Sequence, residues 1–505
     1  MSKLAFAAVP MAILATAACA LPWYLGLQTE QAMRAEVSKM AGSAQFPLNV
    51  TFMRYDRGWL SSTAVTRMTL KAEPSIYLDV RHEISQLPRP GAGWVHVRSV
   101  PQWNGEIKTT LDHYFAGQPA LIVDSVVGFD GSRETTFSSP AFSQPLHEAP
   151  GAKLTWGGME GTISMGSDKR MVASAKAPHL TLQGGDTQAG LKSLKLEANW
   201  EMHGHAADWQ GETRVALAEL RLSGPRDQVA MKDLSGEAYQ RSKGDSVLLG
   251  YALRVGAGSS AKAGEAENSF SNAVLDLEFD QINKKALAKY LDDVGVGEQL
   301  APAPQGTFAS QAMMDLAGEL LRGSPVIRLK KLGVETPSGA VSAQAIVSFD
   351  GSNLAQIRFS PELLSRLRAK GNVEIAASLL RSQLQRKVRP QVEVALVQQG
   401  AQSTEENIKA MSEKLTDAQL KSLTDTGILR PSGTNFTVEA EFAAGQVLVN
   451  GQPASQLFGA ILAPPPAVER PARPLRPEVR AGVIPSRPVS VAQSSTLFPL
   501  VPLAR

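Results

Sequence analysis

Cysteine is all but missing: Cys19 is the only one in 505 residues, and it lies inside the first apolar run. The rest of the chain therefore holds no disulfide. For an outward-facing protein this is more typical of a bacterial envelope than of eukaryotic secretion. Aromatic residues are sparse at 6%, against 42 glycines, which suits extended strands with many turns better than a dense aromatic core. Neither sign of charge is in excess. A formal net charge of +3 gives no basis for nucleic-acid binding, and no such partner is expected. No Gly-Lys dipeptide occurs, which excludes a phosphate-binding P-loop. The G-x-S-x-G and H-E-x-x-H signatures are absent as well.

What is present begins with an apolar run from Leu4 to Leu21, closed by Pro22-Trp23-Tyr24-Leu25-Gly26. Lys3 precedes it, and the first carboxylate, Glu30, follows it. The run reaches the ~18–20 residues of a spanning helix, longer than the roughly 7–15-residue core of a cleaved signal. Trp23 and Tyr24 fall where aromatic side chains settle at a membrane–water interface. Two other readings compete. Ala15-Thr16-Ala17 and Ala18-Cys19-Ala20 look like cleavage sites, and Thr16-Ala17-Ala18-Cys19 resembles a lipoprotein acylation site without its usual leucine. The length favours a transmembrane signal anchor over residues 1–27. Lys3 then keeps the short N-terminus in the cytoplasm, and the bulk is expected in the periplasm, tethered to a bacterial inner membrane.

Beyond the run, a polar helix is expected over residues 28–40. Then comes Tyr55-Asp56-Arg57-Gly58-Trp59-Leu60-Ser61-Ser62, a turn glycine between two interface-type aromatics. Tyr55, Arg57, Gly58 and Trp59 form either a docking or headgroup-contact hairpin, or a hairpin whose Trp59 folds into the core.

From there one habit persists: short runs alternate apolar and polar residues. Leu194-Leu196-Ala198-Trp200-Met202, Val247-Leu249-Tyr251-Leu253-Val255, Ala273-Leu275-Leu277-Phe279, Val341-Ala343-Ala345-Val347-Phe349 and Phe436-Val438-Ala440-Phe442 all do so. Period two gives each strand one apolar and one wet face, which implies large curved antiparallel sheets rather than βαβ units. Phe129-Asp130-Gly131-Ser132 and Phe349-Asp350-Gly351-Ser352 repeat a strand-end turn without a fixed period. Helices are expected mostly in the second half, over 284–294, 308–321, 361–368, 372–386 and 405–429. The fold class is mainly β with helices (α+β): a β-rich region over 28–300 continuous with an α+β region over 301–462. From residue 463 onward, Pro- and Arg-rich sequence with few acids is expected to be a disordered tail. A one-sided sheet needs a cover on its apolar face. Either the helices supply it, or coverage is incomplete and an apolar trough could hold a lipid chain.

Candidates for chemistry are few. Ser259-Ser260-Ala261-Lys262 matches an S-x-x-K spacing but lies in a Gly/Ala/Ser-rich stretch without companion motifs. His203-Gly204-His205, with Glu201 and Asp208 nearby, lacks an evident third metal ligand. No catalytic residue, metal or cofactor is assigned. Paired acids for glycoside chemistry cannot be chosen without distances.

Three stretches resemble the bacterial YdgA-like family of envelope proteins, whose molecular function is not established. They are Pro22-Trp23-Tyr24-Leu25-Gly26 with Glu30, the Tyr55–Ser62 hairpin, and Gly445-Gln446-Val447-Leu448-Val449-Asn450-Gly451-Gln452-Pro453. Residues 308–321 with Pro325-Val326-Ile327-Arg328-Leu329 and Gly339 are similar as well. Where that family tends to carry a second histidine, glycine and proline after the first histidine, this chain reads His82-Glu83-Ile84-Ser85-Gln86-Leu87-Pro88. The resemblance implies an inner-membrane anchor and a β-rich periplasmic body, and carries over no catalytic residues. The expected protein is a non-enzymatic envelope protein whose partner is the membrane and a lipid held in a β groove. The alternatives are a scaffold for other envelope proteins or an enzyme acting on cell wall or glycan.

Overall fold

A computed structural model describes residues 26–35, 37–38, 48–71, 73–87, 93–146, 151–262, 267–293, 318–352, 361–398 and 404–455. The apolar run and residues 456–505 lie outside these. The chain divides into two units, Met1–Gly459 and Ala460–Arg505, of which only the first contains described residues.

The strands of the first unit join one 22-stranded sheet. They run β1 (Leu48–Arg57), β2 (Ser61–Leu70), β3 (Glu73–Ser85), β4 (Val95–Gln102), β5 (Ile122–Val127) and β6 (Arg133–Ser139). Next come β7 (Phe142–Pro145), β8 (Lys153–Trp156), β9 (Met159–Met165), β10 (Arg170–Gly184), β11 (Thr187–Glu201) and β12 (Gln210–Ser223). The central strands continue as β13 (Asp227–Lys243), β14 (Ser246–Lys262), β15 (Asn268–Asn283), β16 (Val326–Thr336), β17 (Gly339–Phe349) and β18 (Leu367–Ala376). Last are β19 (Arg430–Ser432), β20 (Asn435–Ala443), β21 (Gln446–Val449) and β22 (Gln452–Pro453). Each strand pairs antiparallel with its sequence neighbour almost throughout. The exceptions are that β6 pairs with β9, the β7–β8 hairpin sits on the far half of β10, and β18 pairs with β20. Consecutive pairing is what alternating runs joined by tight turns produce.

Helices are α1 (26–35), α2 (Gly105–Tyr114), α3 (Lys284–Asp293), α4 (Pro361–Arg366), α5 (Ala377–Gln398) and α6 (Glu405–Asp425). Two differ from the sequence expectation. Residues 372–376 belong to β18, because Val373 and Ile375 alternate and find partners on both sides in β17 and β20. The helix starts only at Ala377 and then runs on through Pro390. α2 has no expected counterpart. α6 begins where the Thr404 side chain accepts from Asn407 N–H and stops before Gly427, at φ +76°. Of the expected helix over 308–321, only 318–321 is described, within a helical turn at 318–322. No helix among the described residues is long and apolar enough to cross a membrane. The apolar run of the expected anchor lies outside them.

The central strands are long: β13 and β14 have 17 residues each, roughly 55 Å at the usual rise per residue. Strands this long accumulate twist, and a line of interruptions crosses them. Pro178, Ser193, Ala218, Asp233, Gly256 and Asn272 face one another in turn from β10 to β15, and none is a paired position in the ladder. Ser193, Asp233 and Asn272 sit at φ +52°, +53° and +50°. Their partners are a proline without an N–H, an alanine and a glycine. A Cβ on Gly256 would lie 2.9 Å from that of Asp233. At this crease the apolar alternation slips by one residue in each strand. In β11 it passes from Ala189 and Leu191 to Leu194 and Leu196, and in β12 from Leu222 and Leu220 to Leu217 and Val215. A slip in one strand alone would turn its apolar set to the wet face; matched slips keep the neighbours in step.

Glycine also pairs with aromatics across the ladder. Phe137 opposes Gly161, Trp200 opposes Gly211, Tyr239 opposes Gly250 and Phe270 opposes Gly258. In each pair the aromatic ring occupies the space a Cβ on the glycine would need. The ring covers backbone that a glycine would otherwise leave bare.

The buried apolar clusters lie near the two ends of the ladder. Ala64, Ile84 and Val95 pack with Met33, Phe52, Tyr55, Trp94, Val97 and Val127 beneath α1. Val388, Val392, Leu396 and Ile408 form a second cluster between α5 and α6.

Candidate functional site

Between those clusters the apolar face carries no cover among the described residues. Following directly opposed residues from β5 to β20 gives Val123, Phe137, Gly161, Ala175, Leu196, Val215, Gly236, Leu253, Leu275, Leu332, Ala343, Val373 and Val438. No side chain in this row is polar. At about 4.8 Å per strand the row extends roughly 55–60 Å along the sheet. Residues in a covered row would be near zero exposure, yet Leu253 is 50% exposed, Leu332 47% and Val373 40%. Large side chains are interrupted by Ala175, Gly236 and Ala343, so the face has a low floor between raised walls.

One depression lies between β14 and β17. Leu253, Val255, Leu275, Leu332, Val341 and Ala343 line a trough of about 320 Å³. A trough with such a lining offers an apolar ligand dispersion contacts and removal from water, and gives a polar one nothing to bond.

The opposite face is ionic and self-neutralised. Asp280 accepts from Arg328 at 2.8 Å and lies 3.4 Å from Lys243; Glu278 takes Lys330 at 2.6 Å and the Tyr239 hydroxyl. Burial would push both carboxyls up, but these cations outweigh it and hold them below the usual carboxylate range. A concavity of about 580 Å³ on this face is lined by Arg328, Lys330, Lys370 and Arg430. Lys370 is paired with Glu439 at 2.7 Å, and Arg430 donates to the Asn450 carbonyl.

The hairpin residues singled out in sequence are brought together with the chain's own α1. Tyr55 O–H donates to the Gly26 carbonyl at 3.1 Å, and Arg57 forms an ion pair with Glu30, which Arg34 also contacts at 3.0 Å. Arg57, against the opposing effect of burial and helped by Arg34, holds the Glu30 carboxyl below its usual range. Arg34 also lies 4.2 Å over the Phe52 ring. Gly58 has no room for a side chain because the Ser61 carbonyl oxygen fills that space. Trp59 does not fold into the core; it is 54% exposed at the turn. Trp23 and Tyr24 lie outside the described residues. The first two family-like stretches therefore meet, whereas the third does separate work. Asn450, at φ +52° before Gly451 at +82°, accepts from Glu439 N–H at 2.7 Å and donates to the Gly427 and Ile428 carbonyls. That turn holds the end of α6 to β20.

Residues 1–456 match a bacterial protein family of unknown function, DUF945. The chain belongs to this family. No curated protein matches it.

Ser259 and Lys262 are three apart on β14 and so point to opposite faces. His205 Nδ1 accepts from Ala207 N–H, Glu201 pairs with Arg170 at 2.8 Å, and Asp208 with Lys284 at 3.2 Å. No three His, Cys, Asp or Glu side chains among the described residues are placed to hold a metal. His82 faces Ala64 and Ser99, and its ring nitrogens lie 2.9 Å from Thr66 Oγ1 and 2.8 Å from Ser99 Oγ. Burial pulls its pKa down to about 4.

The alternating runs named from the sequence supply Leu196, Leu253, Leu275, Ala343 and Val438 of the row but not the row itself, and Val373 lies where a helix is expected. The row's signal is the alternation in each strand. Which residue opposes which depends on turn lengths and on the crease.

Proposed function

We propose that this family member is a non-catalytic envelope protein that holds an extended apolar ligand, the acyl chain of a lipid, along the open face of its sheet. The observation that carries this reading is the unbroken apolar row from Val123 to Val438, with Leu253, Leu332 and Val373 substantially exposed. Monomeric proteins rarely expose a contiguous apolar surface on that scale unless it binds something. The row is longer than the ~30 Å hydrocarbon thickness of a bilayer, so one chain or two end to end would fit.

Location supports the same reading. The run from Leu4 to Leu21 has the length and flanks of a spanning helix with the bulk outside. The row leads back through Ser99, His82 and Ala64 to Tyr55, where α1 is docked. The apolar row thus ends, at Val123, four strands along the sheet from the segment that follows the expected anchor. A lipid leaving the membrane would meet that end first.

The experiment is lipid extraction from the purified full chain followed by mass spectrometry. Wild type is compared with the double variant Leu253→Arg, Leu332→Arg. The reading expects bound acyl lipid with wild type and at least a several-fold drop in the variant. Equal lipid in both, with both folded, would remove it.

A further inference from the structure

A second apolar surface lies apart from the row, around the first turn of the sheet. Trp59 is 54% exposed, Leu60 42% and Leu87 46%. They form one place: Gln86 N–H donates to the Leu60 carbonyl at 2.9 Å, which sets Leu87 beside the turn. The Gln86 side chain in turn donates to Ser62 Oγ and lies against the backbone of Gly26. Tyr55 also bonds the Gly26 carbonyl. The patch is therefore next to residue 26.

From Leu21, the end of the apolar run, to Gly26 the chain can reach at most about 17 Å. The charges nearest the turn are already paired, Arg54 with Asp56 at 2.7 Å and Arg57 with Glu30. Bringing this end of the sheet to a lipid surface thus strips water from few unpaired charges. Tryptophan, with an apolar body and one N–H, suits the headgroup layer.

We propose that Trp59, Leu60 and Leu87 are a membrane-contact surface, seated in the interfacial layer of a lipid bilayer beside the point where the chain leaves it. This rests on the reading of residues 4–21 as a spanning segment. Tyr55, Arg57 and Glu30 then act as the clamp that fixes α1 against the sheet, so that the anchor and the patch meet the bilayer together.

The test uses the full chain with Cys19→Ser and one new cysteine, at Trp59→Cys or at Leu87→Cys, carrying an environment-sensitive fluorophore. Arg221→Cys in β12, exposed on the ionic face of the sheet, is the control. Each is reconstituted into vesicles of phosphatidylcholine and phosphatidylglycerol with or without brominated acyl chains. The proposal expects blue-shifted emission and at least about twofold quenching at both 59 and 87, and neither at 221. If the chain floats with the vesicles while 59 and 87 emit like 221, the contact surface is refuted and the anchor stands. If the chain does not float, the anchor reading and this proposal fall together. Quenching at neither site, with protection that appears only in cell extract, would assign the patch to a protein partner and overturn the proposal.

Discussion

The Tyr55 hydroxyl reaches across 29 positions of sequence to the Gly26 carbonyl, 3.1 Å away, and two residues later Arg57 closes on Glu30. These two contacts hold α1 to the first hairpin. Tyr55→Phe removes one hydrogen bond and should cost about 1 kcal/mol. Arg57→Ala leaves Glu30 with Arg34 alone and should loosen α1 further. Hydrogen exchange over residues 26–35 should rise in both variants while exchange in β13 and β14 stays unchanged. Uniform acceleration across the sheet would argue against a local clamp.

His82 makes stability depend on acid. Its folded pKa, about 4, lies below the ordinary imidazole value of 6.5, so the folded state prefers the neutral ring. The contribution is fully present above about pH 6.5 and is lost as pH falls toward 4. The shift corresponds to at most about 3 kcal/mol, reduced by the ring's partial exposure. Thermal melts of wild type and His82→Gln should therefore converge between pH 7 and pH 4.5. Parallel curves would mean that the ring is not held neutral.

The glycines opposite aromatics give a paired prediction. Gly250→Ala and Gly258→Ala drive a methyl into the Tyr239 and Phe270 rings and should cost at least about 2 kcal/mol each. Gly236 has nothing within 4 Å of where its Cβ would stand, so Gly236→Ala should be neutral or stabilising by about 0.5–1 kcal/mol. Denaturant melts separate the two cases. Equal losses at all three sites would mean that only backbone freedom matters.

Along the crease, Ser193 takes a left-handed conformation that serine adopts reluctantly. Ser193→Gly should be neutral or add up to about 1 kcal/mol, and Ser193→Val should lose at least that much. The reverse order in chemical melts would show that the crease is not set by φ.

Much of this was legible in the chain itself. The runs at Leu194–Trp200, Val247–Val255 and Ala273–Phe279 lie within strands of the sheet, because period two is a local property. The two Phe-Asp-Gly-Ser turns also share a geometry: Asp130 and Asp350 each accept from the N–H and hydroxyl of the serine two residues on. The crease was equally present, as a slip of one residue after Leu191, before Leu220 and after Phe270. It reads as noise in any single strand and gains meaning only when Ser193, Ala218 and Asp233 are aligned by pairing. β18 was misread as helix because Asn372–Arg386 joins a strand end to a helix start without a breaker. The clamp could not be read at all, since nothing local ties Glu30 to Arg57.

The central claim is that the apolar row binds acyl chains, and photocrosslinking in cells tests it most directly. A photoreactive amino acid replaces Leu253, Leu275 or Leu332 in turn, with Glu237 or Lys370 on the ionic face as controls, in cells fed a clickable fatty acid. The account predicts lipid adducts at the three row positions and none at the controls. Adducts at both faces alike, or at neither, would contradict it.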